Sequence, residues 1–430
     1  MHNSSIMKFR TAAIMFCLIA AATTGASGAQ TLATLELEAR ARVSAQARVP
    51  LSESASAQFK GIDTLEPEGS GRVPNYVRAI AGLPKMAGPF SHLFKTFITS
   101  SSLPSETKLG MALLIAQINE SPYTVAHIER LLGATERGKI VLGAMKSGQT
   151  DTLTVQERQA LAYADALTKK VAGLSDPEFQ AASAVYNDSQ IVELSFTVCF
   201  FNYFTRFAEA LNLPVEAWVF ETSPAQLPAA LAAPARVWLV SDEEIRAVES
   251  VVAAAKAPGS VSASWNIGIA NSQRAMLNAP AMMAAWREFG AAAQAYTSVS
   301  REIKLQVSFA VSTANGCRYC TLHQVLGLRK LGVEPAKLMA MEKGDSALTP
   351  AELEAVLYSR KLTATPAGTT NADYQKLRDV FTEPGALEVL MQTCNFAFMN
   401  RFTDGLRLPS EDEAVKVYLE TYGKAWQRKN

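Results

Sequence analysis

"EIKLQVSFAVSTANGCRYCTLHQVLG", from Glu302 to Gly327, falls without a gap on an earlier segment, "ETKLGMALLIAQINESPYTVAHIERL", from Glu106 to Leu131. The glutamate, lysine, leucine, tyrosine and histidine positions coincide, so that His323 falls on His127. Such register between two distant segments indicates an internal repeat. The chain is therefore read as two copies of one ancestral unit.

The repeat continues downstream. "CNFAFMNRFTDGLRLP", Cys394–Pro409, falls on "CFFNYFTRFAEALNLP", Cys199–Pro214. Two copies of about 190 residues are too few and too long for a solenoid, so the repeat predicts a duplicated globular domain. An Ala/Pro-rich stretch at Ser223–Ala235 is typical of a joint, which places the domains at 30–228 and 229–430.

Local periodicity is helical in both copies. Stretches such as "PAMMAAWREFGAAAQAY" and "SFTVCFFNYFTRFAEALNL" place apolar residues three and four positions apart and are rich in helix-forming residues. Alternation at period two, the mark of a half-buried strand, is not found. The pattern predicts an all-α fold with about six or seven packed helices in each copy.

Composition narrows the range of partners. The 430 residues are 48% hydrophobic and carry 41 basic against 40 acidic side chains. Because there is no run of Lys or Arg, the chain lacks the electrostatic footprint of nucleic-acid or anionic-membrane binding. We expect a small-molecule or protein partner, with neither nucleic acid nor membrane involved.

The first 29 residues resemble a secretory signal peptide. Lys8 and Arg10 precede the apolar run Ala12–Ala22, and small residues follow at Ser27–Ala29. The run of about eleven residues is shorter than the roughly twenty that span a bilayer; an uncleaved membrane anchor is the alternative. We expect cleavage before Gln30 and a periplasmic or secreted protein.

Cysteine is scarce. Cys17 leaves with the signal, and the mature chain keeps Cys199, Cys317, Cys320 and Cys394. This is far below the density of a disulfide scaffold. Cys199 and Cys394 lie in strongly apolar helical patterns at matching positions, which favours buried inert thiols. Any disulfide should be local and chemical in purpose.

The segment "NGCRYCTLHQ" concentrates the chemically active residues. Asn315 and Gly316 interrupt a helical pattern, so Cys317 should lie in the first turn of a new helix, where the helix dipole favours thiolate. His323 follows Cys320 by three residues and should share its helix face. Two thiols and a base are the parts of a nucleophilic thiol with a resolving partner.

Other roles of the segment compete with redox chemistry. As a staple, a disulfide closing about four residues would stabilise the fold by only about 2 kcal/mol. Covalent haem requires His directly after the second cysteine, where Thr321 stands. Zinc bound by Cys317, Cys320 and His323, and chance burial of both thiols, remain alternatives to redox chemistry.

"ANGCRYCTLH", with the preceding "VSFAVST" helix and the downstream "NRF" or "TRF" before an "LP" turn, resembles the AhpD-like, carboxymuconolactone decarboxylase superfamily. The resemblance covers about residues 75 to 220 and 265 to 415. It implies two tandem compact helical domains and assembly into a homo-oligomer. Members with the CxxC motif reduce hydroperoxides or exchange disulfides, whereas members without it include lactone decarboxylases.

The resemblance also implies residue roles. Cys320 would attack the peroxide, Cys317 would donate a proton and close the disulfide, and His323 would relay protons, with no metal or organic cofactor. The dipole argument alone would favour Cys317 as the more acidic thiol. Leu305 stands where the family commonly has a glutamate; Glu302, one turn earlier, either takes over that relay or is a solvated charge at a helix start.

The first copy has lost the sulfurs. Ser121 and Thr124 stand at the cysteine positions, while Tyr123 and His127 persist. Hydroxyls form neither sulfenic acids nor disulfides, so the sequence predicts one redox centre per chain and a scaffold role for the first copy, completing an interface that a second subunit supplies in unduplicated members.

The sequence thus predicts an exported thiol-dependent peroxidase or thiol–disulfide oxidoreductase. Its substrate would be a hydroperoxide or a disulfide, and an electron-donating thiol protein or small thiol would be needed to reduce the pair after each turnover. Two other classes stay open. A lyase or isomerase acting on a lactone would use His323 or His127 as acid and base and would survive loss of the cysteines. A non-catalytic binding module would consume no peroxide.

Overall fold

A computed structural model describes residues 31–221 and 269–427, apart from short stretches at 54–58, 60–61, 63, 67–69, 71, 100–101, 172–173, 344–346 and 425. The predicted signal peptide, the Ala/Pro-rich joint and the predicted boundary at 228/229 lie outside the described residues. Among the described helices, none is both long and apolar enough to cross a membrane.

The described residues form helices and 3₁₀ turns and no strand, which confirms the all-α prediction. The first copy contains α1 (Leu32–Ala41), α2 (Asn75–Ile80), α3 (Ala87–Thr99), α4 (Ser105–Ile118), α5 (Pro122–Leu132), α6 (Glu136–Ser147), α7 (Val155–Lys169), α8 (Asp176–Ser183) and α9 (Asp188–Ala210). The second copy contains α10 (Asn271–Met276), α11 (Pro280–Gln294), α12 (Arg301–Ala314), α13 (Arg318–Lys330), α14 (Pro335–Lys343), α15 (Pro350–Ala364), α16 (Asn371–Val380), α17 (Glu383–Gly405) and α18 (Asp412–Tyr422).

Each copy therefore has more helices than the six or seven expected. Short helices account for part of the excess, since α2 and α10 have only six residues each. The rest comes from α1 and α18, which lie outside the repeated core. They come from opposite ends of the described chain, and each covers the helix that carries the histidine of its copy, α5 for α1 and α13 for α18.

Helix starts recur with the repeat. Thr154 caps α7 and Thr349 caps α15, each in a capping box with the glutamate three residues on, Glu157 and Glu352. The side chain of each threonine accepts a backbone N–H, and the glutamate accepts the backbone N–H of the cap residue. The two copies thus start the same helix with the same local chemistry.

The two copies pack through equivalent helices, as two subunits of a symmetric dimer would. The 23-residue helices α9 and α17 lie against each other, and α3 packs on α11. Phe196 and Phe402 meet across the first contact, with ring centroids 4.8 Å apart, and Phe90 and Phe289 across the second, at 5.5 Å. All are buried, and each buried phenylalanine contributes about 1.5–3 kcal/mol.

Polar contacts also cross between the copies. Arg401 of α17 donates from Nη2 to the Thr168 carbonyl at 3.3 Å, and Arg48 donates from Nη2 to the Thr369 carbonyl at 2.8 Å. Burial lowers the pKa of Arg401. These bonds join the copies into one core, on which both α5 and α13 are held.

Candidate active site

A sharp turn between α12 and α13 places the first cysteine. Asn315 is the C-cap of α12. The next residue, Gly316, has φ 65°, a left-handed conformation that glycine adopts without a steric penalty. Cys317 is the N-cap of α13, and its sulfur accepts the backbone N–H of Cys320 at 3.3 Å. The sequence prediction of a thiol at a helix start is thereby met in the geometry.

Both sulfurs contact one hydroxyl. Thr403 of α17 lies with Oγ1 3.4 Å from the Cys317 sulfur and 3.3 Å from the Cys320 sulfur. Cys317, Cys320 and Thr403 are buried. The structure has no disulfide between the cysteines, which are both thiols.

Burial of the thiols has an electrostatic consequence. It raises the pKa of the Cys317 thiol well above its ordinary value, and the neighbouring Cys320 adds to this. Desolvation of the charged form therefore outweighs the hydrogen bond of Thr403, which lowers the pKa of Cys317. At neutral pH Cys317 is a thiol with a proton to give.

Apolar side chains surround the cysteines. Phe396, Met399 and Leu408, which are partly buried, pack against the buried cluster of Cys317, Tyr319 and Cys320.

His323 lies one turn beyond Cys320 on α13, and both ring nitrogens have partners. Nδ1 donates to the Tyr319 carbonyl at 2.6 Å, and Nε2 lies 2.5 Å from a carboxylate oxygen of Glu411. The ring stacks on Tyr319, with centroids 4.1 Å apart. The histidine is therefore held in position by a backbone carbonyl and a carboxylate.

Glu411, just before α18, completes this network. Its other oxygen accepts from the Tyr319 hydroxyl at 3.0 Å and from the backbone N–H of Asn271 at 2.6 Å. Burial opposes ionisation of Glu411, but the hydrogen bond and charge of His323 outweigh it, so its pKa is lowered. The carboxylate stays ionised beside the histidine.

The structure brings together Cys317, Cys320 and His323 of the predicted site residues, but not Glu302. Glu302 accepts from Lys337 at 2.8 Å and from Gln306 at 3.1 Å, and its side chain is 36% exposed. Its role as a proton relay stays a prediction. The carboxylate that contacts His323 belongs to Glu411.

Sequence reasoning missed Glu411, although a signal existed. The repeat extends two residues past the "LP" turn, as "LPVE" ending at Glu216 and "LPSE" ending at Glu411. Reading the alignment to that point would have shown a glutamate kept in both copies. Thr403 gave no such signal, because Ala208 stands at its position in the first copy.

The first copy repeats the histidine network. Glu216 accepts from the Tyr123 hydroxyl at 3.1 Å and lies 2.9 Å from Nε2 of His127. The backbone N–H of Asn75 donates to the same glutamate, as that of Asn271 does to Glu411. Tyrosine, histidine and glutamate are therefore arranged alike in both copies.

The cysteine positions differ in the first copy. Ser121 donates to Glu209 at 2.8 Å, and its hydroxyl lies 2.8 Å from that of Thr124. Glu209 in turn forms a two-point ion pair with Arg42. The hydroxyls thus belong to a polar network that continues through the Glu209 carboxylate to Arg42.

The structure also bears on the two other cysteines and on the zinc alternative. Cys199 and Cys394 are fully buried thiols on α9 and α17, and burial raises the pKa of both. Within the described ranges, no three or more His, Cys, Asp or Glu side chains are grouped to hold a metal.

Part of the second copy is similar in sequence to a known protein family. Residues 280–361 match the sequence model of the carboxymuconolactone decarboxylase family. Two solved structures are similar, those of the debrominase Bmp8 as a variant in complex with 2,3,4-tribromopyrrole and in its apo form. They are 18% and 19% identical, each with TM-score 0.37, and the match covers 42% of this chain and 94% and 95% of theirs. No curated protein sequence matches.

Proposed function

From the match of residues 280–361 to the sequence model of the carboxymuconolactone decarboxylase family, we propose that the chain is an exported thiol-dependent oxidoreductase. It reduces hydroperoxides, or exchanges disulfides, through Cys317 and Cys320. The observation that carries the proposal is the contact of both sulfurs with one hydroxyl, a helical turn from a histidine that is hydrogen-bonded to Glu411.

The proposed reaction begins at Cys320. Its thiolate attacks the terminal oxygen of a hydroperoxide, an S–O bond forms, the O–O bond breaks, and Cys320 becomes a sulfenic acid. The alkoxide leaves and takes a proton, so that the first product is an alcohol. Two electrons have passed from sulfur to oxygen.

Cys317 then resolves the sulfenic acid. Its sulfur, having given up its proton, attacks the Cys320 sulfur, and hydroxide leaves and is protonated to water. Two thiols of an electron donor must reduce the disulfide before another turnover. The raised pKa of Cys317 supports this division of labour, because a thiol that holds its proton suits a donor better than an attacking thiolate.

His323 is proposed to handle the protons. Its ring, which is hydrogen-bonded at both nitrogens, lies on the same helix as the attacking sulfur. It can give a proton to the leaving oxygen while Glu411 holds the ring in place. Glu411 is proposed as a positioning residue, since it contacts the histidine.

Trapping of the sulfenic acid tests the assignment of the thiols. The reduced Cys317→Ser protein, treated with an organic hydroperoxide and dimedone, should carry the adduct on Cys320. Cys320→Ser should form no adduct on Cys317 at a comparable rate, and Cys394→Ser should behave as wild type. Adduct on Cys317 alone would reverse the roles, and no adduct or peroxide loss in any variant would refute the peroxidase activity.

Export is a separate part of the proposal. The mature protein, recovered from the periplasm or medium of its host, should begin at Gln30 on N-terminal sequencing. Recovery of the chain only from the membrane with Met1 intact would contradict it.

A further inference from the structure

Thr403 lies beside the two cysteine sulfurs that the second copy has and the first copy lacks. Its hydroxyl is within hydrogen-bonding distance of both thiols, and it also donates to the Met399 carbonyl of its own helix at 2.9 Å. The residue is 0% exposed. The first copy has Ala208 at this position.

Counting protons shows what this hydroxyl can do. A threonine hydroxyl has one proton to donate and two lone pairs to accept with. While both cysteines are thiols, each can donate to Thr403 as the hydroxyl donates to Met399. When one thiol ionises, the hydroxyl can turn its proton to that sulfur and form a charge-assisted bond, which is stronger than a neutral one.

The alternative partner of the hydroxyl is already satisfied. The Met399 carbonyl belongs to α17, and the helix supplies a backbone N–H four residues on. Turning the hydroxyl away therefore leaves no buried acceptor unpaired. Reorientation from carbonyl to thiolate has a small cost and gains a charged hydrogen bond at a buried position.

We propose that Thr403 is a positioning residue of the thiol centre, whose hydroxyl holds both sulfurs at one oxygen and donates to the attacking thiolate. This inference rests on the proposed function for its meaning in turnover. The hydrogen bond itself is a property of the dithiol and is measurable without any peroxide.

The same helix offers a matched control. Thr393, also 0% exposed, donates to the Val389 carbonyl at 2.9 Å and contacts the Ser359 hydroxyl at 2.8 Å. It thus has the burial and backbone bond of Thr403 but contacts no sulfur in these bonds. Thr393→Val separates loss of a buried hydroxyl from loss of the thiolate partner.

The experiment measures alkylation of Cys320 by iodoacetamide against pH in the reduced Cys317→Ser background, with and without Thr403→Val. We expect Thr403→Val to move the midpoint up by about one pH unit, a tenfold change in thiolate fraction. Thr403→Ser should restore it to within a few tenths of a unit, and Thr393→Val should leave it unchanged. In the Cys317-containing protein, Thr403→Val should slow peroxide consumption about tenfold at neutral pH.

Two results would overturn the inference: an unchanged midpoint in Thr403→Val, or an equal shift in Thr393→Val. If Thr403→Val does not fold, Thr403→Ala serves in its place, since the first copy carries Ala208 in the equivalent helix, and the same two results decide. Failure of the wild type both to consume peroxide and to exchange disulfides, with the Thr403 shift present, would refute the proposed function but not the hydrogen bond.

Discussion

The two copies keep the same histidine network around different chemistry. Tyr123, His127 and Glu216 in the first copy are bonded as their equivalents are in the second. The difference lies at the two cysteine positions. In the second copy the cysteine sulfurs contact the Thr403 hydroxyl, whereas in the first copy Ser121 donates to the Glu209 carboxylate. The network therefore has a structural role that does not depend on thiols.

That structural role is visible in its contacts. Each glutamate lies after an "LP" turn and accepts the first backbone N–H of a short helix, α2 or α10. It thereby ties the end of the long helix to the start of the copy. Redox chemistry is proposed to use a histidine that the fold already held in place.

Replacing the two histidines separates the roles most strongly. His323→Ala should slow peroxide turnover by roughly 10²–10⁴, the loss typical of a positioned proton-transfer group. His127→Ala should disturb an equivalent network yet leave turnover within a few-fold of wild type. Steady-state turnover, with circular dichroism to match the folded fraction, checks this; equal losses would end the scaffold interpretation of the first copy.

Grafting the sulfurs into the first copy sharpens the comparison. Ser121→Cys with Thr124→Cys recreates the motif in a copy that has Ala208 where the second copy has Thr403. Because the grafted thiolate has no threonine hydroxyl at that position to donate to it, in a Cys317→Ser, Cys320→Ser background the grafted pair should react with peroxide about tenfold more slowly than the native pair. Adding Ala208→Thr should recover part of this. Full native reactivity in the graft without Ala208→Thr would show that the surroundings do not matter.

Removing the glutamates compares stability with activity. Glu411→Gln and Glu216→Gln each weaken a buried network and should lower the free energy of unfolding by about 1–3 kcal/mol at neutral pH. Only Glu411→Gln should slow turnover, by about tenfold. Urea unfolding alongside peroxide turnover measures both, and a tenfold slowing in Glu216→Gln would contradict the comparison.

The pH dependence of Glu411→Gln follows from its pKa. The pKa of Glu411 is lowered in the folded state from 4.5, so its contribution is present above pH 4.5 and is lost as pH falls through the folded value. Wild type should lose stability relative to Glu411→Gln over that acid range. A constant difference across it would show that the carboxylate is not the group involved.

The smallest expected effect is on thermal stability and concerns the contact between α1 and α5 in the first copy. Glu129 of α5 lies beside Glu36 of α1, with Lys146 2.6 Å from Glu36 and 3.3 Å from Glu129. Burial, with the hydrogen bond to Glu36, raises the pKa of Glu129 from 4.5 to about 8. The second copy has Val325 at this position and no such group there.

A raised acid pKa favours the protonated form, so this contribution is present below pH 4.5 and is lost as pH rises through about 8. Glu129→Gln should therefore raise the Tm by about 2–4 °C at alkaline pH and leave it unchanged near pH 4. Thermal unfolding at both pH values checks this, with peroxide turnover unaffected. Equal Tm differences at both pH values would contradict the shift.

Much of this could be predicted from the sequence, because helical periodicity and an internal repeat are local or self-referencing signals. The all-α fold and the start of a helix at Cys317 followed from apolar spacing and from Gly316. The packing of α9 on α17 did not, since both helices are buried along most of their length and the sequence does not single out the face on which they meet.

The site residues outside the motif depend on tertiary contacts. Glu302 was chosen for its helix position, but it lies in the first turn of α12 whereas the thiols follow the last, about 20 Å away along the axis. Thr403 and Glu411 reach the site from α17 and from the segment before α18, more than 80 residues downstream in the chain. No local spacing rule connects them to the cysteines.

The central claim is that each chain holds one redox centre, at Cys317 and Cys320. Intact-mass analysis of the fully reduced protein before and after one equivalent of an organic hydroperoxide, followed by peptide mapping, tests it directly. The account predicts loss of two hydrogens, mapped to Cys317 and Cys320, with Cys199 and Cys394 still reduced. An unchanged mass with the hydroperoxide unconsumed would contradict it.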